Sequence, residues 1–160
     1  MNAKDAIEIF TDGASKGNPG PGGYAAILNF KDYQKKIYAG FRLTTNNRME
    51  LMAVIKALEL IKRDNIAIVI YTDSRYIVDA INKKWMFSWR NKNWNNANPD
   101  LWQILYNLYN KFDNIRFVWI KGHSGNPKNE ECDTLAVSAA SKAPLLIDEF
   151  YEKLKHRKYN

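Results

Sequence analysis

At 160 residues with 46% hydrophobic content, the chain is of a size to enclose one full core, and no apolar run in it is long enough to span a bilayer. Its formal charge of +7, from 24 Lys and Arg against 17 Asp and Glu, points to a polyanionic partner, either nucleic acid or an anionic membrane. One cysteine and two histidines exclude an internal disulfide and a thiolate metal site, so a metal here would be a hard, oxygen-ligated ion such as Mg²⁺ or Mn²⁺.

The opening MNAKDAIEIF lacks the apolar stretch of a signal peptide, and a cytoplasmic protein is expected. Ile7–Asp12 alternates as a strand does and stops at an aspartate. Gly13 to Gly23 holds five of the eight glycines and reads as a loop whose backbone can approach a ligand. Tyr24–Lys31 and Lys35–Leu43 read as two strands about a turn at Asp32–Tyr33, completing an antiparallel meander. Thr44, Thr45, Asn46 and Asn47 are N-cap candidates for a helix Met49–Lys62, with Leu51, Val54, Ile55, Leu58 and Ile61 as its buried stripe. Ile66–Thr72 has the unbroken apolar character of an interior strand, and Ser74 caps a short helix through Asn82.

From Ala80 to Pro99 no acid occurs, while Lys83, Lys84, Arg90 and Lys92 interleave with Trp85, Trp89 and Trp94. Asn98-Pro99 supplies a cap and an N1 proline for a helix Asp100–Phe112. A strand Ile115–Ile120, a loop Lys121–Asn126 and a helix Asn129–Lys142 follow. Residues 1–143 form one domain in this reading. Residues 144–160 are a tail, a short amphipathic helix with a basic end. The order implies an α/β fold: a five-stranded mixed sheet, three strands in an antiparallel meander and two parallel, flanked by helices.

This topology places acids together. Asp12 and Asp73 end two strands expected to be parallel neighbours, so both fall at the carboxyl edge where open α/β sheets hold their sites. Glu50 is in line with Val54, Ala57 and Ile61, and Asp133 with Ala136, Val137 and Ala140, so both helical acids face inward. Each has a plain alternative: turn residue, helix cap, capping box of Glu50 with Asn47, or macrodipole partner for Asp133. Taken jointly, clustered carboxylates repel and are costly to bury without cations. Convergence therefore argues for divalent metal.

The strings IFTDGASKGNPGPGGYAAIL, TTNNRMELMAVIKAL, YTDSRY and KGHSGNPKNEECDTLA closely resemble type 1 ribonuclease H, in order from about Ile7 to Ala140. The resemblance implies the ribonuclease H-like fold and endonucleolytic cleavage of the RNA strand of RNA–DNA hybrids, giving 5′-phosphate and 3′-hydroxyl ends. It implies Asp12, Glu50, Asp73 and Asp133 as ligands of two Mg²⁺ ions, with Mn²⁺ a possible substitute and Asp12 bridging the pair. Two ions ~3.5–4 Å apart stabilise both attacking and leaving oxygens of an in-line displacement. His123 matches the family's histidine that assists water activation or product release, and Cys132 reads as core.

Hybrids are recognised by groove shape, phosphates and 2′-hydroxyls. Family positions imply contacts from Gly13, Ser15, Gly17, Asn18, Thr45, Asn46, Asn47, Ser74 and Arg75, the last standing where glutamine is common. The segment holding Lys84, Trp85, Arg90 and Lys92 resembles the family's basic protrusion, shortened here because only NNANPDL separates Trp94 from Trp102. The expected partner is an RNA–DNA hybrid, with no membrane, no obligate protein partner and a monomeric state. Two other readings stay open: an integrase-like or junction-resolving nuclease of the same superfold, and a hybrid-binding module without activity. A binder of anionic membranes rests on composition alone.

Overall fold

The computed structural model describes residues 5–159, with side chains as far as His156. Three strands, β1 (Ile7–Ser15), β2 (Gly20–Phe30) and β3 (Tyr33–Thr44), form the expected meander. Helix α1 (Asn46–Glu59) leads to β4 (Ala67–Thr72), then α2 (Arg75–Asn82), α3 (Trp85–Asn91) and α4 (Pro99–Lys111). β5 (Asn114–Trp119), α5 (Pro127–Ser141) and α6 (Glu149–Tyr159) complete the chain. The sheet order is β3-β2-β1-β4-β5, with β4 parallel to both β1 and β5. β4, the most apolar strand, is thus interior, as its composition requires.

The alternation in β1 sorts two layers. Ile9 joins the main core with Leu51, Val54, Ile55 and Leu58 of α1, Ile77 of α2 and Trp102 of α4. Phe10, on the opposite face, packs with Ile27 and with Cys132 of α5. Burial of each large aliphatic side chain contributes about 1.5–3 kcal/mol, so the α1 stripe alone anchors that helix to the sheet. Trp89 and Trp94 belong to this packing, edge-on to Trp102 and Tyr106 at centroid separations of 5.1 and 5.6 Å.

The glycine run is not one loop. Gly13 ends within β1 and Gly20, Gly22 and Gly23 within β2; Gly17, at φ +76°, is the one that needs a left-handed turn. Gly13 and Gly23 make room for helices, while Gly20 clears the Lys16 carbonyl and Gly22 the Thr44 side chain. A Cβ on Gly13 would sit 2.3 Å from the Glu50 nitrogen, and one on Gly23 would sit 2.2 Å from the Ala136 oxygen. Sequence alone does not separate turn glycines from close-approach glycines.

α1 begins and ends about one turn earlier than its apolar pattern suggests. Thr45 is the N-cap and accepts from the Arg48 amide at 3.2 Å, which puts Arg48, not an acid, at the third helical position. Asn98 precedes α4 in a left-handed conformation without a side-chain cap bond. Instead its Oδ1 accepts from Arg48 at 3.2 Å and its Nδ2 donates to the Tyr76 hydroxyl at 3.1 Å.

Arg48 is only 2% exposed. Its guanidinium donates to both oxygens of Asp148 at 2.6 and 3.0 Å and to both oxygens of Asp100 at 2.6 and 2.9 Å. Thr44 adds a 2.8 Å bond to Asp148, and Asp148 accepts from the Tyr151 amide at the start of α6. The tail is therefore tied into the core, helped by a bridge between Phe41 and Leu146 and a bidentate Arg42–Glu152 pair. The expected tail helix is present; Arg157 and Lys158 of its basic end lie outside the described side chains.

Candidate metal centre

β1 and β4 run in parallel with Phe10 opposite Tyr71, so Thr11-Asp12 and Thr72-Asp73 lie side by side where β4 ends; β1 itself does not stop at Asp12 as its sequence suggests but continues to Ser15, with Asp12 paired to Ala25 of β2. Thr72 Oγ1 accepts from the Ser74 amide at 3.0 Å, which shapes the turn that carries Asp73. Ser74 itself caps α2 through the Ile77 amide, leaving the Asp73 carboxylate uncommitted to the cap. Gly13 lets the first turns of α1 close on β1, and this brings Glu50 to the same place.

One carboxylate oxygen from each of Asp12, Glu50 and Asp73 lies within 4.8 Å of the others. Asp12 is 4% and Glu50 9% exposed. Glu50 Oε2 is buried without a hydrogen-bond partner. Burial, then the Asp73 charge, pushes the Asp12 carboxyl up to about 7, although a hydrogen bond with Glu50 pulls it the other way. Glu50 is raised well above the carboxylate range, by burial first and the Asp12 charge second. Asp73 is raised by burial and by Asp133, while the His123 charge opposes the rise. Anions so placed, with an orphaned oxygen among them, are what an oxygen-ligated divalent cation would satisfy. The donor set fits such an ion.

Asp133 lies outside that tight group. It faces the cluster from α5 and its charge raises both Asp12 and Asp73. Its place is well past the first turn of α5, which is capped by Asn126 and has Glu130 as its acid, so the macrodipole does not explain it. Glu50 likewise is not a capping-box acid, since Thr45 rather than Asn47 is the cap. Cys132 is fully buried, its thiol donates to the Phe10 carbonyl at 3.2 Å, and burial pushes that thiol far up, away from reactivity.

His123 is exposed on the loop before α5, at φ 56°. Its neighbour Gly122 approaches so closely that a Cβ there would meet Asp73 Oδ2 at 2.7 Å. Ser15, Asn18 and Asn46 gather at the meander end: Ser15 donates to Asn46 Oδ1 at 3.0 Å, and Asn18 Oδ1 accepts from the Asn46 amide at 3.1 Å. Asn47 is exposed beside them, while Thr45 is occupied as a cap. Lys84, Trp85, Arg90 and Lys92 are exposed along α3 and its ends. Arg90 lies 5.5 Å from the Tyr106 ring centre.

Sequence patterning passed over three residues that shape this centre. Gly122 gives no signal beyond its neighbour His123. Trp119 donates from Nε1 to the Asp73 carbonyl at 3.2 Å, a contact that only the β4–β5 register reveals. Arg48 sits in the helical stripe next to Glu50, and its burial was legible only from the two acids it meets, distant in the chain.

A model of the RNase H family matches residues 4–141. A protein of Desulforamulus reducens named ribonuclease H is 49% identical over 148 residues, covering 89% of this chain and 92% of its own length. One from Pectobacterium atrosepticum with the same name is 49% identical over 152 residues, covering 91% and 96%. Among solved structures, LC11-RNase H1 in complex with an RNA/DNA hybrid superposes with a TM-score of 0.66 at 27% identity, over 86% of this chain and 98% of that one. RNase H1 from Halobacterium salinarum does so with a TM-score of 0.65 at 26% identity, over 84% and 96%.

Proposed function

The chain belongs to the RNase H family, and from that premise we infer that it is an endonuclease hydrolysing the RNA strand of RNA–DNA hybrids. The observation that carries this reading is the set of carboxylates from β1, α1 and β4 within 4.8 Å. In our reading the ions are Mg²⁺, two per site, with Mn²⁺ able to substitute, held by Asp12, Glu50 and Asp73 with Asp133 completing the set. Such ions would supply water activation and charge stabilisation of the departing 3′ oxygen, giving 5′-phosphate and 3′-hydroxyl ends.

The chain's own residues do the rest. No protein nucleophile stands in the cluster, so water attacks the phosphorus. His123, exposed to solvent on its loop and near enough to influence Asp73, passes protons between site and solvent. Gly13, Ser15, Gly17, Asn18, Thr45, Asn46 and Asn47 line one side of the sheet edge as contacts for the sugar groove. Ser74 and Arg75 stand beside Asp73. Lys84, Trp85, Arg90 and Lys92 take the phosphates of the DNA strand. Residues 1–143 are the catalytic unit, 144–160 a segment that braces it through Asp148; the protein acts as a cytoplasmic monomer. No described helix is long and apolar enough to cross a membrane.

One assay tests the reading: Mg²⁺-dependent cleavage of RNA–DNA hybrid, RNA duplex, DNA duplex, DNA junction and single-stranded RNA in parallel. Hybrid alone should be cut, and Asp12→Asn should abolish the cutting. Equal cleavage of RNA duplex or preference for a DNA junction would overturn it.

A further inference from the structure

Asp73 is held from a second side by Trp119, a residue that the proposed chemistry does not use. Trp119, the last residue of β5, donates from its indole to the Asp73 carbonyl. Its ring also carries the Arg75 guanidinium, 3.8 Å from the ring centre. The other cation–ring separations among the described residues are 5.3 Å or more.

Arg75 is the first residue of α2, directly after the cap Ser74. A cation at that end opposes the helix macrodipole, at a cost of roughly 0.3–1 kcal/mol. Among the described residues it has no ion pair. Among the described residues its side chain's one polar or ring partner is the indole face, and it is exposed. A guanidinium seated over a ring face leaves its donors free for another partner, and a planar fork of donors matches phosphate oxygens.

We propose that Trp119 is a positioning residue that holds Arg75 as a clamp for a phosphodiester of the bound duplex beside Asp73. The inference rests on the nucleic-acid reading above. One indole then ties the main chain of a metal-ligand residue to a substrate phosphate, so that the strand to be cut is registered against the carboxylates. Trp119 acts through Arg75 for binding and through the Asp73 carbonyl for turnover.

The two roles separate experimentally. Binding of a labelled RNA–DNA hybrid by fluorescence anisotropy, in an Asp12→Asn background with Mg²⁺ so that the strand stays intact, reads affinity apart from chemistry. Arg75→Ala should weaken Kd about fivefold and reduce the slope of log Kd against log salt by about 0.7–0.9. Trp119→Leu should weaken Kd by a similar factor alone and less than twofold further when Arg75 is already alanine. Trp119→Phe retains a ring but loses the N–H; with Asp12 restored it should keep KM within twofold and lower kcat threefold or more. A parent protein that binds no hybrid would sink the underlying reading. A parent that binds while Arg75→Ala keeps the full salt slope, or Trp119→Leu that costs as much without Arg75 as with it, would overturn the clamp alone. Should Trp119→Leu fail to fold, the Arg75→Ala slope and the Trp119→Phe kinetics decide.

Discussion

Arg48 and Glu50 stand two residues apart on α1 and both are buried, yet they meet opposite surroundings. Arg48 finds Asp100, Asp148 and Asn98, acceptors for every direction in which its guanidinium donates. Glu50 finds Asp12 and Asp73, charges of its own sign, and keeps one oxygen without a donor. The first cluster is complete within the chain; the second calls for a cation from outside. Burial of charge is common to both, so burial does not mark the site. Imbalance does.

Breaking the balanced cluster should have the largest effect. Arg48→Ala leaves two carboxylates facing each other and should cost about 3–5 kcal/mol of stability, read as a fall in Tm of roughly 10 °C. A loss under about 1 kcal/mol would mean that the network is not balanced as described. The unbalanced cluster should respond in the opposite sense: Asp12→Asn should lower kcat by at least about 10²–10³-fold while raising the Tm of metal-free protein. A variant that is destabilised without metal would contradict the repulsion.

The pH dependence of metal-free protein sharpens the contrast. Asp12 is protonated up to about 7 when folded, against about 3.8 as its ordinary value. Between those limits the folded state binds more protons than the unfolded one, so stability falls as pH rises through the window and is lowest above it. Tm should drop by roughly 5 °C from pH 5 to pH 8, and Mg²⁺ or Asp12→Asn should flatten the curve. Calorimetry in EDTA gives the answer, and a Tm that rises over this range would be inconsistent with raised carboxyls.

Smaller effects lie at the margins of the unbalanced site. His123→Ala should lower kcat about tenfold and leave metal-dependent cleavage detectable, less than the roughly 10²–10⁴-fold of a general acid or base acting in the transition state, because water activation is assigned to the ions. A variant as inactive as Asp12→Asn would give His123 a ligand's role. Neutralising Lys84, Arg90 and Lys92 together should raise KM a few-fold at 0.15 M salt with kcat held. A fall in kcat alone would remove the protrusion from substrate binding.

Sequence carried the unbalanced cluster better than the balanced one, for a physical reason. Asp73 and Glu50 are placed by local rules, strand end and helix face, and one topological rule brings Asp12 beside Asp73, although β1 runs on past Asp12 to Ser15. Arg48 meets residues 52 and 100 positions away, and nothing local in an arginine near a helix start says which acids it will find. The same limit explains the glycines. Gly13 reads as a loop residue until α1 is seen lying on it, and its true effect is to admit Glu50 to the site. Asn98 shows a third case, a cap by sequence whose side chain is drawn away by Arg48. Trp89 and Trp94 lie among basic residues in the chain but against α4 in space, which local composition cannot distinguish from a stacking platform.

The Arg48–Asp148 bond also has a consequence for biosynthesis. During synthesis from the N-terminus, β1, β2, β3 and α1 are made first, and Arg48 then waits for its acids. Asp100 supplies the first carboxylate; the second follows about 50 residues later, roughly 2–10 s at about 5–20 residues per second. Until then the start of α1, and with it Glu50, is held by an incomplete network. The final assembly of the nuclease edge is thereby deferred until nearly all of these 160 residues have left the ribosome.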